Sequence, residues 1–197
     1  FVEHSQKIAR EVGNRQLEAL NFANMGIIYK KIGEYQKALE FFQSSFKILE
    51  EIGDRDGRAS SLINLADLAI EMNNYPSAQS YYMMANLIAQ AIKSKPRIAS
   101  VCAGLAALNI EKNNLTEAQK LLNQVLPLAK ELDSKEMEAE VLCLYGRFWT
   151  KEKKWDDAKK SFVESIAIFE KINDRFALAE VYYYQGMMFK EAGEQIN

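Results

Sequence analysis

Apolar side chains recur at intervals of three and four along the chain, and almost no stretch alternates with period two. That pattern predicts amphipathic helices throughout and no sheet. A second, longer period lies over it. Gly26, Ala66, Ala106, Gly146 and Gly186 stand 40 residues apart, and so do Ala38, Ala78, Ala118 and Ala158. Four residues after each of those alanines comes a bulky side chain: Phe42, Tyr82, Leu122, Phe162. Small residues in fixed register with large ones are what stacked helical hairpins require, because a Gly or Ala lets a neighbouring helix approach and the large side chain fills the space beside it. Each repeat is predicted to hold two helices. In the first, helix A runs from about Arg15 to Lys31 and helix B from about Tyr35 to Ile52, joined by Ile32-Gly33-Glu34.

The predicted turns carry matching punctuation. Gly53-Asp54-Arg55-Asp56-Gly57 separates the first two repeats, and Met72-Asn73-Asn74, Lys112-Asn113-Asn114 and Glu152-Lys153-Lys154 fall at equivalent steps. Gly and Asn tolerate the left-handed conformation that ends a helix. Pro76 and Pro96 fall in predicted first turns, where a missing N–H costs little. Pro127 falls inside a B helix and is expected to remove one hydrogen bond and bend that helix. The resulting organisation is a single array: half-repeat helix B at 1–14, complete repeats at 15–54, 55–94, 95–134 and 135–174, and half-repeat helix A at 175–197. Neither end looks capped. The last helix carries Tyr182, Tyr183, Met187 and Met188, which is apolar for a free surface, so the uncapped ends offer surfaces for self-association, end on end or through that helix.

Composition narrows the function. With 48% apolar residues and few prolines, the chain has material for a continuous core and little for disorder. A formal net charge of -2 argues against nucleic acid as a partner, since such binders carry a basic stripe. The cluster Lys151, Lys153 and Lys154 spans a turn. Cys102 and Cys143 lie inside predicted helices and form no CxxC pair, as expected of reduced thiols in a cytoplasmic protein. No apolar run approaches the ~20 residues that cross a bilayer, so no membrane association is expected.

Several positions recurring together give the repeat a close resemblance to the tetratricopeptide repeat. The first repeat supplies Phe22, Met25, Gly26, Tyr29, Ala38 and Phe42; the fourth supplies Leu142, Tyr145, Gly146, Trp149, Ala158 and Phe162. The second and third keep the alanines but hold Ala66 and Ala106 for the glycine, and Ala69 and Asn109 for the tyrosine. Two departures matter. The step is 40 rather than 34 residues, and the proline that usually ends helix B is replaced by Glu50, Gln90, Lys130 and Glu170. This resembles the long-helix branch, with kinesin light chain, spindle-orientation scaffolds and bacterial regulatory arrays. The resemblance implies an all-α fold, a right-handed superhelix (an α-α solenoid) with A helices lining its concave groove.

Chemistry is sparse. His4 is the single histidine, which leaves no multi-histidine metal site. There is no Gly-rich phosphate loop and no GxSxG. Asp156-Asp157 follows Trp155 at the start of a B helix, where acidic residues favour the positive helix end. No catalytic residue, cofactor or metal is expected, and the chain is not expected to be an enzyme.

The groove remains. Counting from the Gly/Ala markers, the family geometry points Ile27, Asp67, Arg147 and Met187 inward, with Ile63 and Tyr183 one turn before and Ile70 and Ile110 one turn after. These give an apolar stripe with Asp67 and Arg147 as isolated polar points, or packing between neighbouring A helices. Asn24 and Asn64 occupy the position where asparagines of the long-helix family grip an extended peptide, a carboxamide offering both donor and acceptor to a peptide unit. The Lys/Asn pairs of chaperone-tail clamps are absent, Ala23/Ile27 and Ile63/Asp67 standing in their place. The expected function is a protein-interaction scaffold binding a peptide or helix of a partner in its groove; the alternative is a regulatory or sensor segment of a larger signalling or transcription protein, controlling an attached effector domain.

Overall fold

The computed structural model describes Ala9 and residues 11–193. Most of the predicted first half-repeat helix, with His4, and the residues after Gly193 lie outside the described residues. Among the described residues nine helices are complete and there is no strand. They are α1 (Arg15–Lys31), α2 (Tyr35–Glu51), α3 (Arg55–Glu71), α4 (Tyr75–Ala91), α5 (Lys95–Glu111), α6 (Leu115–Glu131), α7 (Lys135–Lys151), α8 (Trp155–Ile172) and α9 (Arg175–Ala192). The protein is an all-α helical repeat array.

Local causes account for several helix starts and for the stops. Asn14, Asp54, Ser134 and Asp174 cap the A helices α1, α3, α7 and α9, each side-chain oxygen accepting from a backbone N–H of the first turn; Asp54 Oδ1 to Gly57 N is 2.9 Å. The stops recur every 20 residues. Gly13, Gly33, Gly53, Asn73, Lys93, Asn113, Asp133, Lys153, Asn173 and Gly193 all adopt positive φ, which turns the chain so that the last carbonyls are used: Asp174 N–H donates to Phe169 O at 3.1 Å and Asn173 N–H to Glu170 O at 3.1 Å. The turn expected to extend to Gly57 ends at Asp54. Gly57 is helical, and it is small because Leu49 and the Asp54 carboxylate occupy the space a Cβ would take, at 2.6 and 2.8 Å. Helix α6 continues through Pro127.

The chain forms two compact units, Phe1–Gly104 and Leu105–Asn197, with α5 running through the boundary. In the first, α1 pairs with α2 and α3 with α4, and α2 also packs on α3. Ala38, Phe42, Leu65 and Leu68 form one buried cluster; Ala19, Ile48 and Leu49 form another. A Cβ at Gly26 would stand inside contact distance of the Phe42 ring. In the second unit α7 pairs with α8, α6 packs on α7, and α9 packs on α8. Its core holds Ala139, Cys143, Ala158, Phe162, Phe169, Val181 and Met188. Here a Cβ at Gly146 would fall 2.5 Å from the Phe162 ring. The small and large residues seen in register along the sequence touch in space.

Candidate partner-binding site

In the first unit the N-terminal turns of α1, α3 and α5 border an open pocket of about 450 Å³. Gln16 and Leu20 reach it from α1; Asp56, Ser60 and Asn64 come from α3, and Arg97 from α5. Spacings of four put each helix's contribution on one face. Leu20 is apolar yet 55% exposed. Asn64 is half-buried, and its carboxamide has no hydrogen bond among the described residues. Beneath them Ser61 donates to Ser45 at 3.2 Å, both buried.

The rim is ordered by charge. Arg97 donates twice to Asp56, Nε to Oδ1 at 3.0 Å and Nη2 to Oδ2 at 2.8 Å, the two-pronged geometry of a strong guanidinium–carboxylate pair. That guanidinium holds the Asp56 carboxyl below its ordinary range despite partial burial. Gln16 Nε2 donates to Asp54 Oδ2 at 3.2 Å.

Of the residues singled out in the sequence, Asn64 lines this pocket. Asn24 is exposed outside it. Ile27 is half-buried against the Phe42 cluster, Ile63 is buried, and Ile70 is half-buried. Asp67 accepts a hydrogen bond from the hydroxyl of Tyr82, a fully buried side chain. Gln16, Leu20, Asp56, Ser60 and Arg97 went unrecognised in the sequence, although the same 40-residue register, carried two turns toward each A-helix start, reaches all but Arg97 directly.

The second unit corrects two expectations. Ile110 is 1% exposed, so it belongs to packing and has no surface for a groove. Arg147 is not an isolated polar point: Nη2 donates to Glu111 Oε1 at 2.6 Å and the guanidinium lies 4.3 Å from the Tyr184 ring centre, a cation–π contact. Tyr183 and Met187 are exposed on α9, and Tyr183 meets Tyr184 edge-on at 5.4 Å.

Both cysteines are free. Burial pushes the Cys143 thiol up to about 12 and raises Cys102 as well. Since the thiolate is the reactive form, iodoacetamide at pH 8 is expected to modify neither in the folded protein and both after denaturation, as read by mass spectrometry. Rapid native labelling of Cys143 would contradict the packing described. Among the described residues no helix is long and apolar enough to cross a membrane, and no group of three or more His, Cys, Asp or Glu side chains is placed to hold a metal ion.

Comparison with known proteins agrees with the repeat architecture. A family model of the tetratricopeptide repeat matches residues 15–85. No curated protein sequence matches the chain. Solved structures do. A Rap protein complexed with Competence and Sporulation Factor superposes with a TM-score of 0.80 at 18% identity, over 90% of this chain and 50% of that one. BtubC (BKLC) from P. vanneervenii gives 0.72 at 18% identity, over 98% of this chain and 80% of that one. A Signal Transduction ATPase with Numerous Domains from Pyrococcus horikoshii, described with a tetratricopeptide repeat sensor, gives 0.71 at 18% identity, over 95% of this chain and 28% of that one. The chain therefore spans half or less of two of these three proteins, and at such identity the likeness concerns the fold. Residues 15–85 match the tetratricopeptide repeat family, and helical pairs in the same 40-residue register, a small residue of one helix seated on a large residue of the next, continue that architecture to α9.

Proposed function

We propose that the protein is an interaction module whose first unit binds a segment of a protein partner in the pocket beside α1, α3 and the start of α5. The observation that carries this reading is the pairing of an exposed Leu20 with the unbonded carboxamide of Asn64 across a pocket of about 450 Å³. Pockets of about 300–1,000 Å³ with an apolar surface and a few polar groups are the usual form of binding sites. Leu20 supplies surface for an aliphatic side chain, and Asn64 supplies a donor and an acceptor for the adjoining peptide unit. Two free thiols fit a reducing compartment, the cytoplasm. The Rap complex supports a bound partner on this fold.

The sensor description of the Pyrococcus horikoshii protein favours a second reading, in which such binding controls an effector domain of a longer protein. Both readings need the same site.

Peptides selected from a random phage-displayed library on the wild-type protein are expected to bind Leu20→Asp and Asn64→Ala at least tenfold more weakly, about 1.4 kcal/mol, with unchanged circular dichroism. Equal affinity for both variants would move the site elsewhere.

A further inference from the structure

Helix α4 (Tyr75–Ala91) has no charged residue in its sequence YPSAQSYYMMANLIAQA. Its solvent face is apolar at the centre: Leu87 is 72% exposed, Met83 58% and Met84 44%. The other B helices carry charge at most of the matching positions, Lys120, Lys130 and Glu131 on α6 and Lys160, Glu170 and Lys171 on α8. Helix α2 places Glu40, Lys47, Glu50 and Glu51 where α4 has Ser80, Leu87, Gln90 and Ala91. An apolar surface built from flexible methionines, without charges across it, marks a protein contact.

We propose that this face binds the same face of a second copy of the chain, as a two-fold dimer with the α4 helices antiparallel. The order of side chains carries the choice of occupant. Ser80, Met84, Leu87 and Ala91 fall along one helix face at steps of four, three and four. They read small, large, large, small from either end. A two-fold axis between residues 85 and 86 sets Ser80 against the partner's Ala91 and Met84 against the partner's Leu87, and the reverse. An isologous interface demands this reciprocity. Small residues at the ends admit close approach, and large ones fill the middle. No charge of α4 meets its own copy across the axis, whereas the same arrangement of α2 would bury Lys47. A lipid surface fits less well, because helices that lie on membranes carry Lys and Arg beside the apolar face, and α4 has neither.

The helix is about 25 Å long, so the contact falls in the small-interface class and the dimer is weak and concentration-dependent. It lies on a different helix from the pocket residues Leu20 and Asn64, and the inference does not depend on that site.

Sedimentation velocity of the whole chain over a concentration series tests it. The wild type is expected to move from monomer toward dimer as concentration rises. Leu87→Glu and Met84→Glu, both at exposed positions where substitutions cost little folding stability, are expected to shift that transition at least tenfold higher in concentration. Lys47→Glu and Tyr183→Glu are expected to leave it in place. A wild type that stays monomeric throughout overturns the proposal, whether or not phosphatidylserine vesicles pellet it. So does a dimer that survives Leu87→Glu, or one that Tyr183→Glu removes.

Discussion

Replacing Phe162 by alanine is expected to cost about 3–5 kcal/mol of folding stability, the upper range for truncating a core aromatic. Phe162 is fully buried in the cluster of Ala158, Phe169, Val181 and Met188. What makes the loss large is the wall it leaves. The ring lies on the backbone of α7 at Gly146, where even a Cβ would be 2.5 Å away. Backbone cannot collapse into a void as a flexible side chain can, so the cavity stays open. The reverse change, Gly146→Ala, forces the ring outward and is expected to cost about 1–3 kcal/mol. The third repeat solves the same problem with Ala106 and Leu122. Gly146→Ala with Phe162→Leu rebuilds that pair, and the double variant is expected to be more stable than the sum of the single losses allows. Urea unfolding followed by fluorescence of Trp149 and Trp155, both packed against this cluster, gives the shifts in midpoint. A Phe162→Ala loss below about 1 kcal/mol would show that the small-to-large register is not what holds the repeats together.

That register was the most legible part of the chain. Helices follow from spacings of three and four, and their pairing follows from the Gly/Ala markers, because both are local patterns repeated many times. Helix ends were partly legible. Asn73, Asn113, Asp133 and Asn173 announce a left-handed residue, but Lys93 and Lys153 do the same work without any signal in their residue type; only their position in the 20-residue series gives them away. The proposed binding pocket was harder. Asn64, which lines it, stands out in the sequence because a carboxamide can pair with a peptide unit. Leu20 and Ser60 were missed because the family offsets lead to the turns around the markers, while the pocket opens nearer the helix starts. Ile63 and Ile110 show the limit of periodicity, since an apolar position facing a groove and one packed against a neighbour have the same spacing. Arg147 shows another limit: its partners Glu111 and Tyr184 come from α5 and α9 and share no sequence pattern with it.

Gly104→Leu is expected to destabilise the first unit by about 2–4 kcal/mol, combining overpacking with the loss of a buried hydrogen bond. Gly104 faces the Tyr82 ring so closely that a Cβ would overlap Cζ and the hydroxyl oxygen. Tyr82 is fully buried, and its hydroxyl donates to Asp67. Burial and the nearby carboxylate both oppose ionisation, so the phenol stays a donor throughout the accessible pH range. Displacing the ring breaks that bond and leaves a hydroxyl in apolar surroundings. Tyr82→Phe alone is milder, about 0.5–1.5 kcal/mol, because half-buried Asp67 can turn to water. The sequence suggests the compensating change. Where the second repeat has Tyr82 followed by Gly104, the third has Leu122 followed at the same offset by Leu144. Tyr82→Leu together with Gly104→Leu transplants that combination, and a coupling energy of about 0.5–3 kcal/mol in the double-mutant cycle is expected. Strict additivity of the two losses would mean that Gly104 is small for some reason other than the tyrosine it faces.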